Sequence, residues 1–187
     1  MKIGITGSLA SGKTTVCKLL SNNRYPLFSA DKTVKHLYQN RKFKKKISKK
    51  FRIKNDNRLK NSLKKLIFKN KTILNKLEKI IHPLVRKEMR KFTSKHKNKK
   101  ILFYEIPLLI ESKLMKFFDI IIFVKCSKLI RMKRFLSKQK SKKLFRLLDN
   151  KQLNETQKSK FCDYVVVNEK NLNILKKNLS SIISKYE

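Results

Sequence analysis

The chain has 187 residues, of which 50 are Lys or Arg and 12 are Asp or Glu, giving a formal net charge of +38. This length suffices for one α/β domain with a buried core, and we expect no second independent domain. No run approaches the roughly 20 apolar residues that span a bilayer, and no charged-then-apolar signal opens the chain, so we expect a cytoplasmic protein without a membrane partner.

The first predicted elements are a buried strand at 2–6 and a helix from Lys13, separated by a loop with the pattern GxxxxGK[ST]. All three glycines of this glycine-poor chain lie at or before Gly12, where the backbone needs them. Such a loop turns its N–H groups around a phosphate, and the next helix presents its positive end. Lys13 would neutralise phosphate oxygens and the Thr14 hydroxyl would ligate Mg²⁺. The predicted nucleotide-binding residues of the loop are Gly7, Ala10, Ser11, Gly12, Lys13, Thr14 and Thr15.

A second short strand is predicted at 26–29, followed by Asp31 and a helix that carries Val34 and Leu37. Ligands of open α/β sheets bind at the carboxyl ends of the strands, so Asp31 could accept a proton from an attacking hydroxyl or orient it. An ordinary helix cap explains the same residue equally well. Both interpretations stay open on the sequence alone.

A helical region is predicted between about residues 40 and 98, where apolar residues recur at intervals of three and four. Pro83 fits the first turn of a helix within this region, because its missing N–H costs nothing there. His82 would then be a structural residue at a helix start, which we favour over a role as a general base.

Three more apolar runs of strand length occur at 101–104, 120–124 and 164–167, and they alternate with helices. This alternation predicts a parallel sheet wound on both faces. Glu105 follows the first of these runs and could touch Mg²⁺ through water, or could simply be solvated.

Basic residues follow the fourth predicted strand. Arg131 and Arg134 lie on one predicted helix, with Lys138 one further turn beyond Arg134, and these cations could close on a transferring phosphoryl group. A solvated basic face is the alternative for Arg131 and Lys138. The Lys-rich segment 137–151 could form a mobile lid.

These residues resemble the motifs of the dephospho-coenzyme A kinase family along nearly the whole chain. The opening IGITGSLASGKTTV is similar to the family's amino terminus, and Ser29-Ala30-Asp31 is similar to its Asp-Ala-Asp. His82-Pro83-Leu84-Val85 matches its His-Pro motif, and 106–111 resembles its Pro-Leu-Leu-Phe-Glu segment. The family's carboxyl-terminal pattern is reproduced in its spacing by Gln152, Lys158, Asp163 and Asn168.

The resemblance implies an α/β fold of the P-loop NTPase type, with a doubly wound parallel sheet of about five strands, a helical substrate-binding insertion and a lid. We expect a single kinase domain, with its core at 1–35 and 99–187, the helical region at about 36–98 and the lid at about 137–152. The implied reaction transfers the γ-phosphate of ATP to the 3′-hydroxyl of dephospho-coenzyme A, with Mg²⁺ as a further cofactor.

The same resemblance assigns roles to single residues. Asp31 would be the base or the orienting carboxylate, and Lys13 and Arg134 would be the other catalytic residues. Lys138 would bind the nucleotide from the lid and help Arg134 to stabilise phosphoryl charge. We expect a monomer or a weak homo-oligomer.

The metal residues would be Thr14 and Glu105, with Glu111 as the alternative carboxylate.

Several positions depart from the family pattern. Ser29 replaces the first acid of Asp-Ala-Asp, and Glu105 stands where Asp is usual. Lys138 replaces an arginine, and a lysine lacks the planar guanidinium that can bind two phosphate oxygens at once. Cysteine replaces the family's alanine directly before Asp163.

Two rival hypotheses remain. A different small-molecule kinase, acting on a nucleoside monophosphate or on shikimate, would share the loop but not the later motifs. The high positive charge suggests a nucleic-acid-binding protein. Lysine is, however, spread through the chain together with many asparagines and isoleucines, which is typical of AT-rich codon usage, so we expect no specific nucleic-acid partner.

The three isolated cysteines indicate buried thiols rather than disulfides or a metal site: Cys17, Cys126 and Cys162.

Overall fold

The structure is a computed structural model that describes residues 1–70 and 72–187. The described chain forms two compact units. The first consists of Met1–Ser29 and His96–Glu187, and the second of Ala30–Lys95. The predicted helical region includes Lys71, which lies outside the described residues. Each unit has an apolar core of its own.

A five-stranded parallel sheet organises the first unit. Its strands are β1 (Lys2–Gly7), β2 (Leu27–Ser29), β3 (Leu102–Glu105), β4 (Ile120–Lys125) and β5 (Tyr164–Val167). Their order in the sheet is β2-β3-β1-β4-β5. All five strands predicted from the apolar runs are present. Glu105 belongs to β3 instead of following it, because it still pairs with Ile5 of β1.

The helices occur between these strands, except the last helix, which follows β5. They are α1 (Lys13–Ser21), α2 (Ala30–Leu37), α3 (Arg41–Phe51), α4 (Leu59–Lys69), α5 (Thr72–Lys95), α6 (Lys128–Leu136), α7 (Lys142–Asp149), α8 (Glu155–Ser159) and α9 (Leu172–Ile183). The predicted fold class, an α/β protein with a parallel sheet, is confirmed. Helix α1 begins directly after the loop and ends where Asn22 adopts the left-handed conformation that stops many helices.

The core of the first unit lies between the sheet and the helices α1 and α9. Ile3 and Ile5 of β1 are fully buried, as are Val16 and Cys17 on one face of α1. The burial of an Ile or Val side chain stabilises the folded protein by about 1.5 to 3 kcal/mol. This packing fixes the start of α1 against the end of β1, and therefore fixes the two ends of the intervening loop.

The second unit is entirely helical in its described residues and contains α2 to α5. Its core combines apolar side chains from α3, α4 and α5 at the spacing that the sequence showed. The buried members are Phe43, Ile47, Phe51, Leu59, Leu63, Leu77 and Ile81. The prediction of a helical region without strands is confirmed for the described part of 40–98.

Pro83 contradicts one expectation, since it lies inside α5 and not in a first turn. His82 therefore lies mid-helix as well. The helix continues because Leu77, Ile81 and Met89 remain on its buried face across the proline. Pro83 itself is exposed, so the carbonyl that loses its N–H partner is on the side of the helix where water can replace it. Neither α5 nor another helix in the described residues is both long and apolar enough to cross a membrane.

Candidate active site

The loop between β1 and α1 has an unusual backbone conformation. Gly7 and Gly12, at its two ends, have φ angles of 155° and 96°. A Cβ on Gly12 would lie 2.0 Å from Nδ2 of Asn168, so only glycine fits there. Ala10 has a φ of 61°, a left-handed conformation that costs a residue with a side chain about 1 kcal/mol or more. Contacts from elsewhere in the protein must therefore hold this loop in shape.

Lys13 is buried at the first position of α1, with 7% of its surface exposed. Its ammonium group donates hydrogen bonds to the carbonyl oxygens of Gly7 at 3.1 Å and Ser8 at 2.8 Å. The ammonium thus lies against the loop, next to the positive end of the helix. Both favour an anion at this place.

Glu105, at the end of β3, is a further residue of this site and is buried, with 2% of its surface exposed. One carboxylate oxygen, Oε1, accepts a hydrogen bond from the Thr14 hydroxyl at 2.5 Å. The other oxygen, Oε2, accepts one from the Ser29 hydroxyl at 2.7 Å. The hypothesis of a solvated acid is wrong for Glu105, because β3 lies between β1 and β2 and places the carboxylate between Ser29 at the end of β2 and Thr14 at the start of α1.

Thr14 and Glu105 suit a divalent cation. Mg²⁺ prefers oxygen ligands and in nucleotide enzymes takes only one or two from the protein, the rest coming from phosphates and water. A hydroxyl beside a buried carboxylate fits this requirement. No cluster of three or more His, Cys, Asp or Glu side chains suited to a metal occurs in the described residues.

Glu111, the alternative metal residue, is engaged elsewhere. Its Oε1 lies 2.7 Å from Nζ of Lys158, a lysine with no exposed surface. The same oxygen accepts a hydrogen bond from the backbone N–H of Leu153 at 3.1 Å. A role as a metal ligand would compete with this compensation of a buried ammonium.

Arg131 on α6 is buried, at 5% exposure. Its Nη1 lies 2.5 Å from Oδ1 of Asp149, and its Nε lies 3.4 Å from Oε1 of Glu155. It also donates hydrogen bonds to the carbonyl oxygens of Cys126 at 3.0 Å and Leu9 at 3.3 Å. The solvated-face hypothesis is wrong for Arg131, because two carboxylates compensate its charge within the protein.

Arg134 and Lys138 differ in their surroundings. Arg134 is half-buried and donates from Nη1 to the carbonyl oxygen of Ser11 at 3.3 Å. Its guanidinium also approaches the sulfur of Cys126 at 3.5 Å. Lys138 is exposed. The described geometry therefore brings Arg134, but not Lys138, to the loop.

Two residues that the sequence did not identify as site residues also reach the loop. Gln152 accepts a hydrogen bond from the N–H of Leu9 at 2.9 Å, and Asn168 donates one to the carbonyl oxygen of Ser11 at 2.8 Å. They are 143 and 157 residues from their partners, so local periodicity could not have found them. Their place in the carboxyl-terminal motif pattern was the only available signal.

Asp31 belongs to the helical unit and is exposed. Since α2 begins at Ala30, Asp31 is the second helical residue and lies in the first turn instead of preceding the helix as a cap. A carboxylate in a first turn interacts favourably with the positive end of the helix dipole.

The cysteines are thiols without disulfide partners among the described residues. Cys17 and Cys126 are buried, as expected, whereas Cys162 is half-buried. Burial raises the pKa of Cys17 well above its usual range, and the nearby Glu105 charge raises it further. Burial also raises the pKa of Cys162, to about 12. These thiols are therefore neutral at physiological pH.

A parallel sheet with a glycine-bounded loop after its first strand, a lysine across that loop and a hydroxyl at the start of the next helix is the arrangement of a P-loop nucleotide-binding protein. A family model described as dephospho-CoA kinase matches residues 1–173. The chain belongs to the dephospho-CoA kinase family.

Curated relatives agree with this family over their full lengths. A dephospho-CoA kinase from Rickettsia bellii is 32% identical, with 100% of this chain and 98% of the relative covered. One from Bartonella quintana is 34% identical, with 97% and 95% covered. The resemblance stated from the motifs is confirmed, and so is the prediction that the chain is a kinase.

Solved structures support the same fold. The crystal structure of a Thermus thermophilus protein has a TM-score of 0.81 at 26% identity and covers 100% of this chain and 98% of its own. Dephospho-CoA kinase from Campylobacter jejuni has a TM-score of 0.70 at 24% identity, with 99% and 97% covered. Shikimate kinase from Acinetobacter baumannii reaches 0.55 at 14% identity, with 98% and 93% covered, and shows only that the fold is shared.

Proposed function

We propose that the protein transfers the γ-phosphate of ATP to the 3′-hydroxyl of dephospho-coenzyme A, giving coenzyme A and ADP. The observation that carries this proposal is the phosphate loop of a chain that matches the dephospho-CoA kinase family over residues 1–173. Directly after this loop, Lys13 lies at the positive end of α1 and the Thr14 hydroxyl donates a hydrogen bond to the Glu105 carboxylate.

The phosphates of ATP would bind in the loop through its backbone N–H groups, as the conformations of Gly7 and Gly12 allow. The ammonium of Lys13, which already lies at the loop, would exchange its bonds to the Gly7 and Ser8 carbonyls for bonds to phosphate oxygens. Arg134, hydrogen-bonded to Ser11 of the loop, would stabilise charge on the transferring group. These residues do no covalent chemistry; they position the phosphates and stabilise charge.

Thr14 and Glu105 would hold Mg²⁺, which when bound neutralises charge on the phosphate oxygens. Glu105 is favoured over Glu111, since Glu111 is paired with the buried Lys158. Ser29, which replaces an acid of the family pattern, hydrogen-bonds Oε2 of Glu105 and leaves Oε1 directed at Thr14. The longer Glu side chain and the shorter Ser thus fit each other here.

Asp31 would orient the acceptor hydroxyl or take its proton. Its support is its place in the chain, two residues after Ser29 and thus just beyond the carboxyl end of β2, the side of a parallel sheet on which substrates bind. The helical region at about 36–98 would bind the coenzyme A precursor, and the segment at about 137–152 would act as a lid that carries Lys138. This segment contains α7, whose Phe145 is fully buried.

A coupled assay of ADP release with several acceptors tests this proposal. We expect turnover with dephospho-coenzyme A and Mg-ATP, and none above background with shikimate or nucleoside monophosphates. Product analysis should show one added phosphate on the 3′-oxygen. Turnover with another acceptor and none with dephospho-coenzyme A would contradict the proposed substrate while leaving the kinase class intact.

A further inference from the structure

Side chains from outside the phosphate loop hold the residues on either side of its strained residue. Ala10 has a φ of 61°, which an alanine adopts only when its surroundings impose it. Before it, the N–H of Leu9 donates to Gln152 and the carbonyl of Leu9 accepts from Arg131. After it, the carbonyl of Ser11 accepts from Asn168 and also from Arg134. Leu9 and Ser11, the two neighbours of Ala10, are thus both held by side chains.

Gln152 differs from the other residues in this set because it alone accepts a hydrogen bond from a loop N–H. Amide N–H groups of such a loop can either bind phosphate or be oriented by the protein. The bond of 2.9 Å from Leu9 to Oε1 of Gln152 fixes the direction of that peptide plane. That plane joins Ser8 to Leu9. The next plane, from the carbonyl of Leu9 to the N–H of the strained Ala10, is held by Arg131, so two consecutive N–H groups of the loop are oriented from outside it.

Gln152 is in turn held by a buried ion pair. The N–H of the next residue, Leu153, donates to Oε1 of Glu111, and this oxygen lies 2.7 Å from Nζ of Lys158. Lys158 has no exposed surface, and Oε2 of Glu111 has no hydrogen-bond partner among the described residues. A buried ion pair with an unsatisfied oxygen contributes little to stability compared with apolar side chains of similar volume. Its location next to Gln152 suggests a different role.

We propose that Gln152 is a positioning residue for nucleotide binding, and that the Glu111–Lys158 pair keeps Gln152 in place. The chain of contacts runs from Lys158 through Glu111 to the backbone of Leu153, and then from Gln152 to Leu9 of the loop. None of these three side chains touches the reacting atoms in this assignment. They act through the shape of the loop that receives the β-phosphate. The inference rests on the ATP-binding part of the proposed function and not on the identity of the acceptor.

Gln152→Met tests the first step, because methionine keeps the length of the side chain and removes the acceptor. We expect the Kd for ADP to rise about fivefold, which corresponds to the loss of one hydrogen bond. The Kd for AMP, which has no β-phosphate, should change less than twofold. The Leu9 amide should also exchange with solvent faster, as measured by hydrogen exchange of the peptide that contains the loop.

The matched control is Gln157→Met, which makes the same chemical change at an exposed position of α8. It should leave both affinities and the exchange rate unchanged. Gln152→Glu keeps an acceptor oxygen and should retain protection of the Leu9 amide, even if its charge weakens ADP binding. Unchanged ADP affinity in Gln152→Met, or equal weakening of ADP and AMP, would overturn the proposal, as would loss of Leu9 protection in Gln152→Glu.

The ion pair is tested by replacing Glu111 and Lys158 together with methionine. The double variant should fold with a Tm close to that of the parent, because apolar side chains of similar volume often replace a buried pair without loss. Its Kd for ADP should nevertheless rise at least twofold, since Leu153 loses its acceptor. A normal Kd would show that the pair does not support Gln152. If the variants change the Kd for ADP as expected while the parent protein shows no turnover on dephospho-coenzyme A, only the proposed acceptor is contradicted.

Discussion

The ion pair between Arg131 and Asp149 allows a quantitative prediction for the variant Asp149→Asn. Both side chains are nearly buried, at 6% and 11% exposure, and Nη1 lies 2.5 Å from Oδ1. Asparagine keeps an oxygen at this position and can still accept the hydrogen bond. The substitution therefore removes the charge and little else.

The expected loss follows from what remains around Arg131. Removing one partner of a buried pair costs about 3 to 5 kcal/mol when the other charge is left uncompensated. Arg131 would keep Glu155 at 3.4 Å and its hydrogen bonds to two backbone carbonyls. We therefore expect the free energy of unfolding to fall by roughly half of that amount, about 1.5 to 2.5 kcal/mol.

Urea unfolding followed by circular dichroism measures this loss, with the transition midpoint as the main observable and a constant slope as the check. Lys128→Gln is the matched control, because Lys128 contacts the same Asp149 at 3.6 Å but is 65% exposed. It should cost at most about 0.5 kcal/mol, as is usual for exposed pairs. If both variants lose equally little, the conclusion that Arg131 depends on Asp149 is wrong.

Four further predictions concern the site and its surroundings. Lys13→Ala should abolish phosphoryl transfer while the circular dichroism spectrum stays unchanged, and near-normal turnover would refute its role. Asp31→Asn should lower kcat far more than it raises the KM for ATP; an effect on ATP binding alone would reassign this residue. Glu105→Gln should raise the Mg²⁺ concentration needed for half-maximal activity by about 10- to 100-fold, whereas an unaltered requirement would exclude Glu105 from the metal site. Because burial raises the pKa of Cys162 to about 12, its thiol is protonated at pH 8 and iodoacetamide should alkylate it much more slowly in the folded protein than in urea; similar rates would contradict this.

Much of the fold could be predicted from the sequence because it depends on local patterns. Apolar runs of strand length identified all five strands, and three- and four-residue spacing identified the helical unit. The phosphate loop was recognisable because its glycines are required by backbone geometry, as the φ of 96° and the contact of Asn168 with Gly12 show. Pro83 was misplaced for the opposite reason: a proline favours a first turn locally, but the buried face of α5 carries the helix past it.

The sequence by itself thus determined the secondary structure, the loop and, through its separated motifs, the family. Only the tertiary structure decided that Glu105 is buried against Thr14 and Ser29, that Arg131 is compensated by Asp149, and that Gln152 reaches Leu9. The physical reason is the order of the strands. Because β3 lies beside β1, residues 91 positions apart share a hydrogen bond, and no local pattern encodes which strands become neighbours. Burial and charge compensation at the site follow from that arrangement.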